Sequence, residues 1–372
     1  MQARRLVTPL VAALAAVGVT GCGDNLGAPV DARARDAAAD GAEVDAGVDA
    51  ADLDAAPDAM PDAALDAAAV DAPPDAPTDA PTDAAAIDAP TDAPTDAAID
   101  AIPVDAPVGP VTLRVVAANV TSGNFQSYET PGLHILAALD PDVALLQEFN
   151  RGGNTPAELR SFVDQAFAPG FNYFREAGVQ LPNGVVSRYP IVAAGSWDDP
   201  QVDNRGFAWA RIDVPGPIDL WAVSMHLLTT SAAARSAEAT ALVAEITAHV
   251  PAGDYLVIGG DFNTPGRTEG CITAFGAIVD TAPPYPTDGS GNGNTNAVRT
   301  KSYDWVLADP DLAPIALPLG LGTSTFASGL VFDTRVYMPL SDAPPALATD
   351  SAAPNMQHMA VARDFLLPNP AN

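Results

Sequence analysis

The stretch LVIGGDFNT, residues 256–264, decides the fold of this chain of 372 residues. It begins with a short apolar run rich in β-branched side chains, which is typical of a buried strand. Two glycines, Asp261 and Asn263 lie in its second half. Side chains two positions apart at a strand end point the same way, so Asp261 and Asn263 are expected to face one pocket. An ordinary Gly/Asp/Asn turn would give the same pattern, and the rest of the chain must decide between turn and site.

The N-terminus has the three parts of a secretory signal. Arg4 and Arg5 give the positive start, residues 6–19 the apolar core, and residues 19–21 the small-residue end. An apolar core of this length is too short to span a bilayer, which takes about 20 residues. We therefore expect residues 1–21 to be a signal peptide.

Cys22 follows this signal directly, and the sequence Val-Thr-Gly-Cys resembles the lipobox of bacterial lipoproteins. In those proteins the cysteine is lipidated and becomes the mature N-terminus. The resemblance implies an exported protein that a lipid anchors to a bacterial membrane. Gly23 follows the cysteine instead of the Asp associated with inner-membrane retention, which favours the outer membrane or the cell surface. An ordinary signal peptide with an incidental cysteine is the alternative.

Residues 22–109 form a linker of Asp, Ala, Pro and Thr with little else. It holds 21 acidic and two basic residues and no aromatic residue. Such a segment cannot bury enough apolar surface to offset the entropy of ordering the chain, so we expect disorder. Proline and charge repulsion extend it into a spacer. Its spacing lacks the Asp-x-Asp-x-Asp-Gly pattern of a calcium loop, which argues against a specific metal site.

The linker accounts for most of the formal charge of −30. Residues 110–372 hold 26 acidic and 13 basic residues, which gives the C-terminal part a charge of −13, without a polybasic run. This argues against tight non-specific binding of nucleic acid. It is compatible with a nuclease that meets DNA briefly through a divalent metal. If Cys22 carries lipid, Cys271 has no partner within the chain, so stability must come from an apolar core.

The pattern over residues 110–372 predicts one folded domain in which strands outnumber helices. Helical spacing is clearest at residues 132–139, 156–167 and 232–249. Polar residues cluster at the ends of predicted strands, which indicates a sandwich of mixed sheets with one site at one rim. Residues 285–300, rich in Gly, Asn, Thr and Pro, are too long for a mere connection and are a candidate substrate lip.

Six strand ends carry residue types that catalysis uses, namely Asn119, Glu148, His226, Asp261 with Asn263, Asp304, and His358. The surrounding blocks, in order, are VVAANV, PDVALLQEF, NGVVSRYPI, WAVSMHL, LVIGGDFNT, SYDWVLA and QHMAVARDF. In this order they resemble the endonuclease/exonuclease/phosphatase superfamily over residues 111–367. The resemblance implies a DNase-like α+β fold, a four-layer α/β sandwich of two mixed β-sheets flanked by helices.

The resemblance also implies a role for each residue. Glu148 matches the carboxylate that binds the divalent metal, usually Mg²⁺ with Mn²⁺ or Ca²⁺ as alternatives. Asn119 matches the asparagine beside it, which supports the metal and the phosphate. Asn183 matches a polar residue that contacts the substrate phosphate in several members.

The remaining matches concern catalysis. Asp261 matches the carboxylate that orients or deprotonates the attacking water, and Asn263 the asparagine that holds phosphoryl oxygens. His226 matches a histidine that hydrogen-bonds the phosphate or assists the leaving group. His358 matches the second histidine, with Asp304 as its orienting carboxylate. A strand-end carboxylate or a turn asparagine without catalytic function would look the same at each position taken singly.

One position departs from the family pattern. Members commonly have Ser-Asp-His before the last strand, whereas this chain has Met356-Gln357-His358. Gln357 carries no charge, which puts the number of metals and the rate in doubt, and Asp350 is a candidate to compensate. We expect a monomeric, surface-tethered, metal-dependent phosphoesterase that hydrolyses a phosphodiester, with extracellular nucleic acid as the first candidate substrate. The alternatives are a phospholipid, sphingomyelin or sugar-phosphate esterase, and a catalytically weakened surface binding module.

Overall fold

The computed structural model describes residues 109–368. The predictions for the signal peptide, for Cys22 and for most of the linker lie outside these described residues. No helix among residues 109–368 is long and apolar enough to cross a membrane.

The first sheet has seven strands. Its strand order is β10-β14-β1-β2-β4-β3, and β13 also pairs with β14. The β1 and β2 strands are parallel, whereas the other pairs are antiparallel. The strands are β1 Val111–Ala118, β2 Val143–Leu146, β3 Asn172–Arg175, β4 Gly184–Ser187, β10 Ala316–Leu317, β13 Leu330–Phe332 and β14 Ala360–Leu367.

The second sheet has five strands in the order β5-β6-β7-β8-β9. Its β7 and β8 strands are parallel, and its other pairs are antiparallel. A separate pair, β11 Leu319–Leu321 and β12 Ser324–Phe326, is antiparallel. The five strands are β5 Ile191–Asp198, β6 Gly206–Ile212, β7 Leu220–His226, β8 Tyr255–Asp261 and β9 Asp304–Ala308.

Within residues 109–368, four α-helices cover the sheets: α1 Thr130–Leu139, α2 Pro156–Ala166, α3 Ala232–His249 and α4 Gly270–Phe275. The α2 helix begins with a capping box in which Thr155 and Glu158 satisfy each other's backbone N–H groups. The Ser231 side chain accepts from the Ala234 N–H and starts α3 in a similar way. The predicted α3 bounds are confirmed, while the short α4 was not predicted because six residues carry too little periodicity.

Three apolar clusters define the layers. One joins α1 and α2 to the first sheet and includes Ile135 and Phe162. The second lies between the two sheets and joins residues such as Val115 to Val257. The third packs α3 and α4, through residues such as Leu242, against the second sheet. The expected four-layer sandwich of two mixed sheets flanked by helices is confirmed.

Candidate active site

The register of the second sheet sets the centre of the site. In the parallel β7 and β8 pair, His226 lies opposite Asp261. In the antiparallel β8 and β9 pair, Asp261 lies opposite Asp304. The last residue of β8 is therefore flanked on both sides by a side chain that can titrate, and this is the arrangement that the strand-end pattern predicted.

Gly260 allows this close approach. Its φ is +137°, a value that L side chains rarely adopt, and an added Cβ would lie 2.1 Å from the Met225 carbonyl oxygen. Only a residue without a side chain fits there, which explains one of the two glycines before Asp261.

Asp261 is the hub of a hydrogen-bonded cluster and is 1% exposed. Its Oδ2 atom lies 3.2 Å from the Asn119 Nδ2 donor, 3.3 Å from His226 Nε2 and 3.3 Å from His358 Nε2. Its Oδ1 atom accepts from the Asn263 backbone N–H at 2.9 Å. This last bond is the turn that the sequence left as an alternative, so Asp261 both ends the strand in a turn and enters the cluster.

Glu148 joins the cluster from the first sheet. It lies just beyond the end of β2 in a left-handed backbone conformation with φ +51°. Its Oε1 atom accepts from Asn119 Nδ2 at 3.2 Å and from Gln126 Nε2 at 2.8 Å, and its Oε2 atom accepts from Thr121 Oγ1 at 2.6 Å. Sequence reasoning missed Thr121 and Gln126, because they lie in the loop after β1, where no spacing indicates which side chain turns inward.

His358 lies between two carboxylates. Its Nδ1 atom is 3.0 Å from Asp304 Oδ2, and its Nε2 atom faces Asp261. Burial opposes the charged imidazolium, but the charges of Asp261, Asp304 and Glu148 outweigh it and raise the pKa of His358 to about 10. His358 is therefore a cation at neutral pH and donates from both nitrogens.

His226 is held in the opposite protonation state. Burial lowers its pKa well below 6.5, and the positive charges of Arg205 and His358 lower it further. The neutral ring directs Nε2 toward Asp261, while its buried Nδ1 has no hydrogen-bond partner among the described residues. Arg205 donates to the backbone carbonyls of His226 and Leu227, which secures the end of β7.

Two predicted phosphate contacts are used differently. The Asn263 amide donates to the Leu227 carbonyl at 2.9 Å, so this side chain braces the neighbouring loop. Asn183 is fully buried and donates to the Gly206 carbonyl at 2.6 Å. Among the described residues, no hydrogen bond joins the Asn183 side chain to the cluster around Asp261. The structure therefore brings Asn119, Glu148, His226, Asp261, Asp304 and His358 together, with Asn263 beside them, whereas the buried Oδ1 atom of Asn183 has no hydrogen-bond partner among residues 109–368.

The position of Gln357 supplies no replacement charge. Its side chain is exposed, and its backbone carbonyl accepts from the Ala297 N–H at 2.7 Å. Asp350 does not compensate, because its carboxylate accepts from the Leu347 N–H and faces His134 Nδ1 at 3.2 Å. The end of the predicted lip, at Asn296, instead forms a β-bridge with His358.

The cluster fits a divalent cation. Asp261, Asp304 and His358 each offer one ligand atom, and these atoms lie within 4.8 Å of one another. Burial raises the pKa of Glu148 and, with repulsion from Asp304, raises that of Asp261 to about 6. One oxygen of Asp304 is buried without a hydrogen-bond partner among residues 109–368. Because both nitrogens of His358 already face carboxylates, a carboxylate oxygen such as this one is a better ligand for a hard cation than the imidazole.

Comparison with known proteins agrees with this geometry. Residues 133–326 match the model of the Endonuclease/Exonuclease/phosphatase family. Comparison with curated protein sequences finds no match.

Similar solved structures include the endonuclease/exonuclease/phosphatase of Beutenbergia cavernae, with 19% identity, a TM-score of 0.47, and 69% of this chain and 72% of that chain covered. The endonuclease/exonuclease/phosphatase of Bacteroides vulgatus is 15% identical, with a TM-score of 0.47 and coverage of 69% and 99%. A humanized D. rerio TDP2 with 14 mutations is 16% identical, with a TM-score of 0.43 and coverage of 68% and 98%.

Proposed function

Because this chain belongs to the endonuclease/exonuclease/phosphatase family, we propose that it is a metal-dependent phosphoesterase that hydrolyses a phosphodiester by attack of an activated water. The observation that carries the proposal is the convergence of Asn119, His226 and His358 on one oxygen of Asp261, next to Glu148. A buried cluster with this many titratable groups is costly for folding alone, and such clusters are typical of catalytic sites.

Each side chain has a task in this mechanism. Glu148 and Asp304 would hold the divalent cation, which would neutralise charge on the phosphate oxygens, and Asp261 stays available as a base. The His358 ring, protonated on both nitrogens, donates a hydrogen bond to a phosphate oxygen when substrate displaces its contact with Asp261. Asp304 keeps the His358 ring oriented and charged.

Asp261 is the general base. Its pKa of about 6 leaves it ionised at neutral pH, yet close enough to neutrality to accept a proton from water. Neutral His226 keeps its Nε2 proton beside the same carboxylate and donates to the substrate without adding a second positive charge. The two histidines therefore have different roles, because their surroundings move their pKa values in opposite directions.

Phe125 favours a substrate with bases over the lipid and sugar-phosphate alternatives. It is 94% exposed at the tip of a tight loop that the Gly123 and Ser127 backbones close with a 2.9 Å hydrogen bond. The next residue, Gln126, contacts Glu148. An exposed aromatic ring presented beside the phosphate site suits stacking on a nucleobase.

The test measures hydrolysis by the purified chain with Mg²⁺, with and without EDTA. The substrates are single-stranded DNA, bis-(p-nitrophenyl) phosphate and sphingomyelin. We expect turnover of the first two that EDTA abolishes. We expect Asp261→Ala and His358→Ala to reduce kcat by about 10²–10⁴, the usual contribution of a general acid or base. Activity that persists in both variants and in EDTA would refute the proposal, and activity on sphingomyelin alone would favour the lipid alternative.

The location is part of the same proposal. The lipobox at Cys22 supports export and lipid anchoring, and the acidic linker supports a spacer between membrane and enzyme. Expression in a bacterial host with a radiolabelled fatty acid tests this. The wild-type chain should carry label and sediment with the outer membrane, whereas Cys22→Ser should do neither. Label retained by Cys22→Ser would exclude this anchor.

A further inference from the structure

Most arginines in the described part of the chain form salt bridges with carboxylates. Arg114 pairs with Asp364 at 2.8 Å, and Arg235 pairs with Glu269 at 2.7 Å. Two arginines without such pairs satisfy their donors otherwise. Arg175 and Arg205 each donate three hydrogen bonds to carbonyl or amide oxygens. Buried guanidinium groups in this protein therefore have partners as a rule.

Arg267 and Arg363 depart from that rule. Arg267 donates one hydrogen bond, from Nη2 to the Gly293 carbonyl at 2.6 Å. Arg363 donates one, from Nη1 to the Val306 carbonyl at 3.3 Å. Neither forms a salt bridge with any residue in the range 109–368. Since a guanidinium has five N–H donors, most donors of both groups have no protein partner within this range.

Both arginines line the same cavity, which has a volume of about 220 Å³. The Arg267 guanidinium lies over the rings of Tyr285, at 4.1 Å, and Trp305, at 4.7 Å, so the aromatic rings hold it in place. Burial lowers the pKa of both arginines, which shows that their charge is partly desolvated. Two such cations in one cavity carry a cost that a bound anion would relieve.

The carboxylates on the cavity wall relieve that cost only in part. The charge of Asp280 favours the charged form of Arg363, but its carboxylate accepts from the Ala282 N–H at 2.9 Å and forms no salt bridge with either arginine. Asp304 pairs with His358. Most N–H donors of Arg267 and Arg363 are therefore left for another acceptor.

We infer that this cavity binds an oxyanion of the phosphate class through Arg267 and Arg363. Planar guanidinium groups match the oxygens of phosphate with paired donors. One water molecule occupies about 30 Å³ in the liquid. The cavity, at about 220 Å³, has the volume of several water molecules and therefore has room for a phosphate group. Asp304 belongs to both the cavity wall and the catalytic cluster, so the bound anion would adjoin the His358–Asp304 pair. The anion is either a second phosphate of the substrate or free phosphate.

Isothermal titration calorimetry of the full chain with inorganic phosphate in EDTA tests the inference. The experiment uses a His358→Ala background, which removes the cation proposed to hold phosphate in the catalytic cluster. We expect binding with one site, at least tenfold weaker binding in Arg267→Met or Arg363→Met, and none in the double variant. The control is Arg160→Met, which removes an arginine that is paired with Asp164 on the surface of α2 and should leave binding unchanged.

The inference is overturned if the double variant binds phosphate as tightly as the parent protein does. It is also overturned if the parent protein shows no binding at about 10 mM phosphate, a concentration high enough to detect a weak site. If circular dichroism shows that Arg363→Met does not fold, Arg363→Lys replaces it. That variant keeps the charge but loses the planar donors, and it should bind measurably but more weakly. The calorimetric result does not depend on turnover, so it stands or falls separately from the proposed phosphoesterase activity.

Kinetics of the double variant with His358 intact identify the source of the anion. If the substrate supplies it, KM should rise at least tenfold for an oligonucleotide and stay constant for bis-(p-nitrophenyl) phosphate, which has a single phosphate. If free phosphate is the ligand, KM should stay constant for both, and the effect of added phosphate on the rate should disappear. Either pattern supports the cavity as a phosphate site, and an equal rise of KM for both substrates contradicts it.

Discussion

The charge of His358 depends on Asp304, and replacing that carboxylate by an amide tests the dependence. In the structure, His358 Nδ1 lies 3.0 Å from Asp304 Oδ2 with both side chains buried. Removing an opposite charge at this distance changes a pKa by about 1–3 units. We therefore expect Asp304→Asn to lower the pKa of His358 from about 10 to between about 7 and 9.

The same change has a defined effect on stability. The folded pKa of His358 is raised above the unfolded value of 6.5. Its stabilisation is therefore complete below about pH 6.5 and is lost as the pH rises through about 10. The difference in pKa corresponds to stabilisation on the order of 5 kcal/mol. The Asp304→Asn variant should lose about 1–4 kcal/mol of this at pH 6, and its stability should fall over a narrower and lower pH window.

The assay is a titration of the histidine ring protons by NMR in EDTA, combined with urea unfolding at pH 6 and pH 9. The chain has only four histidines, which makes assignment practical. Asp350→Asn is the matched control, since it removes the carboxylate that faces His134 at 3.2 Å and leaves Asp304 in place. Titration of His358 near pH 10 in Asp304→Asn would refute the electrostatic reasoning.

Three further predictions concern the backbone, the rim and the metal. Gly260→Ala should destabilise the protein by about 1–3 kcal/mol or more in urea unfolding, because the added Cβ would lie 2.1 Å from the Met225 carbonyl oxygen. Gly289→Ala, which has open space around the added atom, should not destabilise it. Equal effects of the two substitutions would contradict the steric argument. Phe125→Ala should raise KM for single-stranded DNA by about tenfold, in line with about 1–3 kcal/mol per stacked base, without changing the melting temperature; Val192→Ala, at another exposed apolar residue, should leave KM unchanged. Removal of divalent metal by EDTA should abolish turnover. It should also make the protein less stable near neutral pH, because three buried carboxylates then repel each other. If addition of Mg²⁺ leaves the unfolding transition unchanged, the cation site is contradicted.

Much of the fold could be predicted from periodicity. The bounds of α3 match the expected range of residues 232–249, because this stretch carries a long helical pattern. The short strands β10 to β13 had no pattern of their own, and pairing with β14 or with each other decides them.

The sequence by itself determined which residue types stand at which strand ends, because side-chain chemistry and the alternation of a strand are local properties. The resemblance to the family then predicted Asp261, His226, Glu148 and His358 as one site. Tertiary structure alone decided the protonation states, because the pKa of a buried group depends on charges that arrive from distant strands.

The cavity lined by Arg267 and Arg363 shows most clearly what the sequence could not predict. Arg267 and Arg363 lie in different elements, and nothing local distinguishes them from the arginines that form salt bridges. Whether a guanidinium meets a carboxylate is decided by packing between strands and loops that are distant in the chain. For that reason only the folded protein reveals two cations that line one cavity without a salt bridge in the described chain.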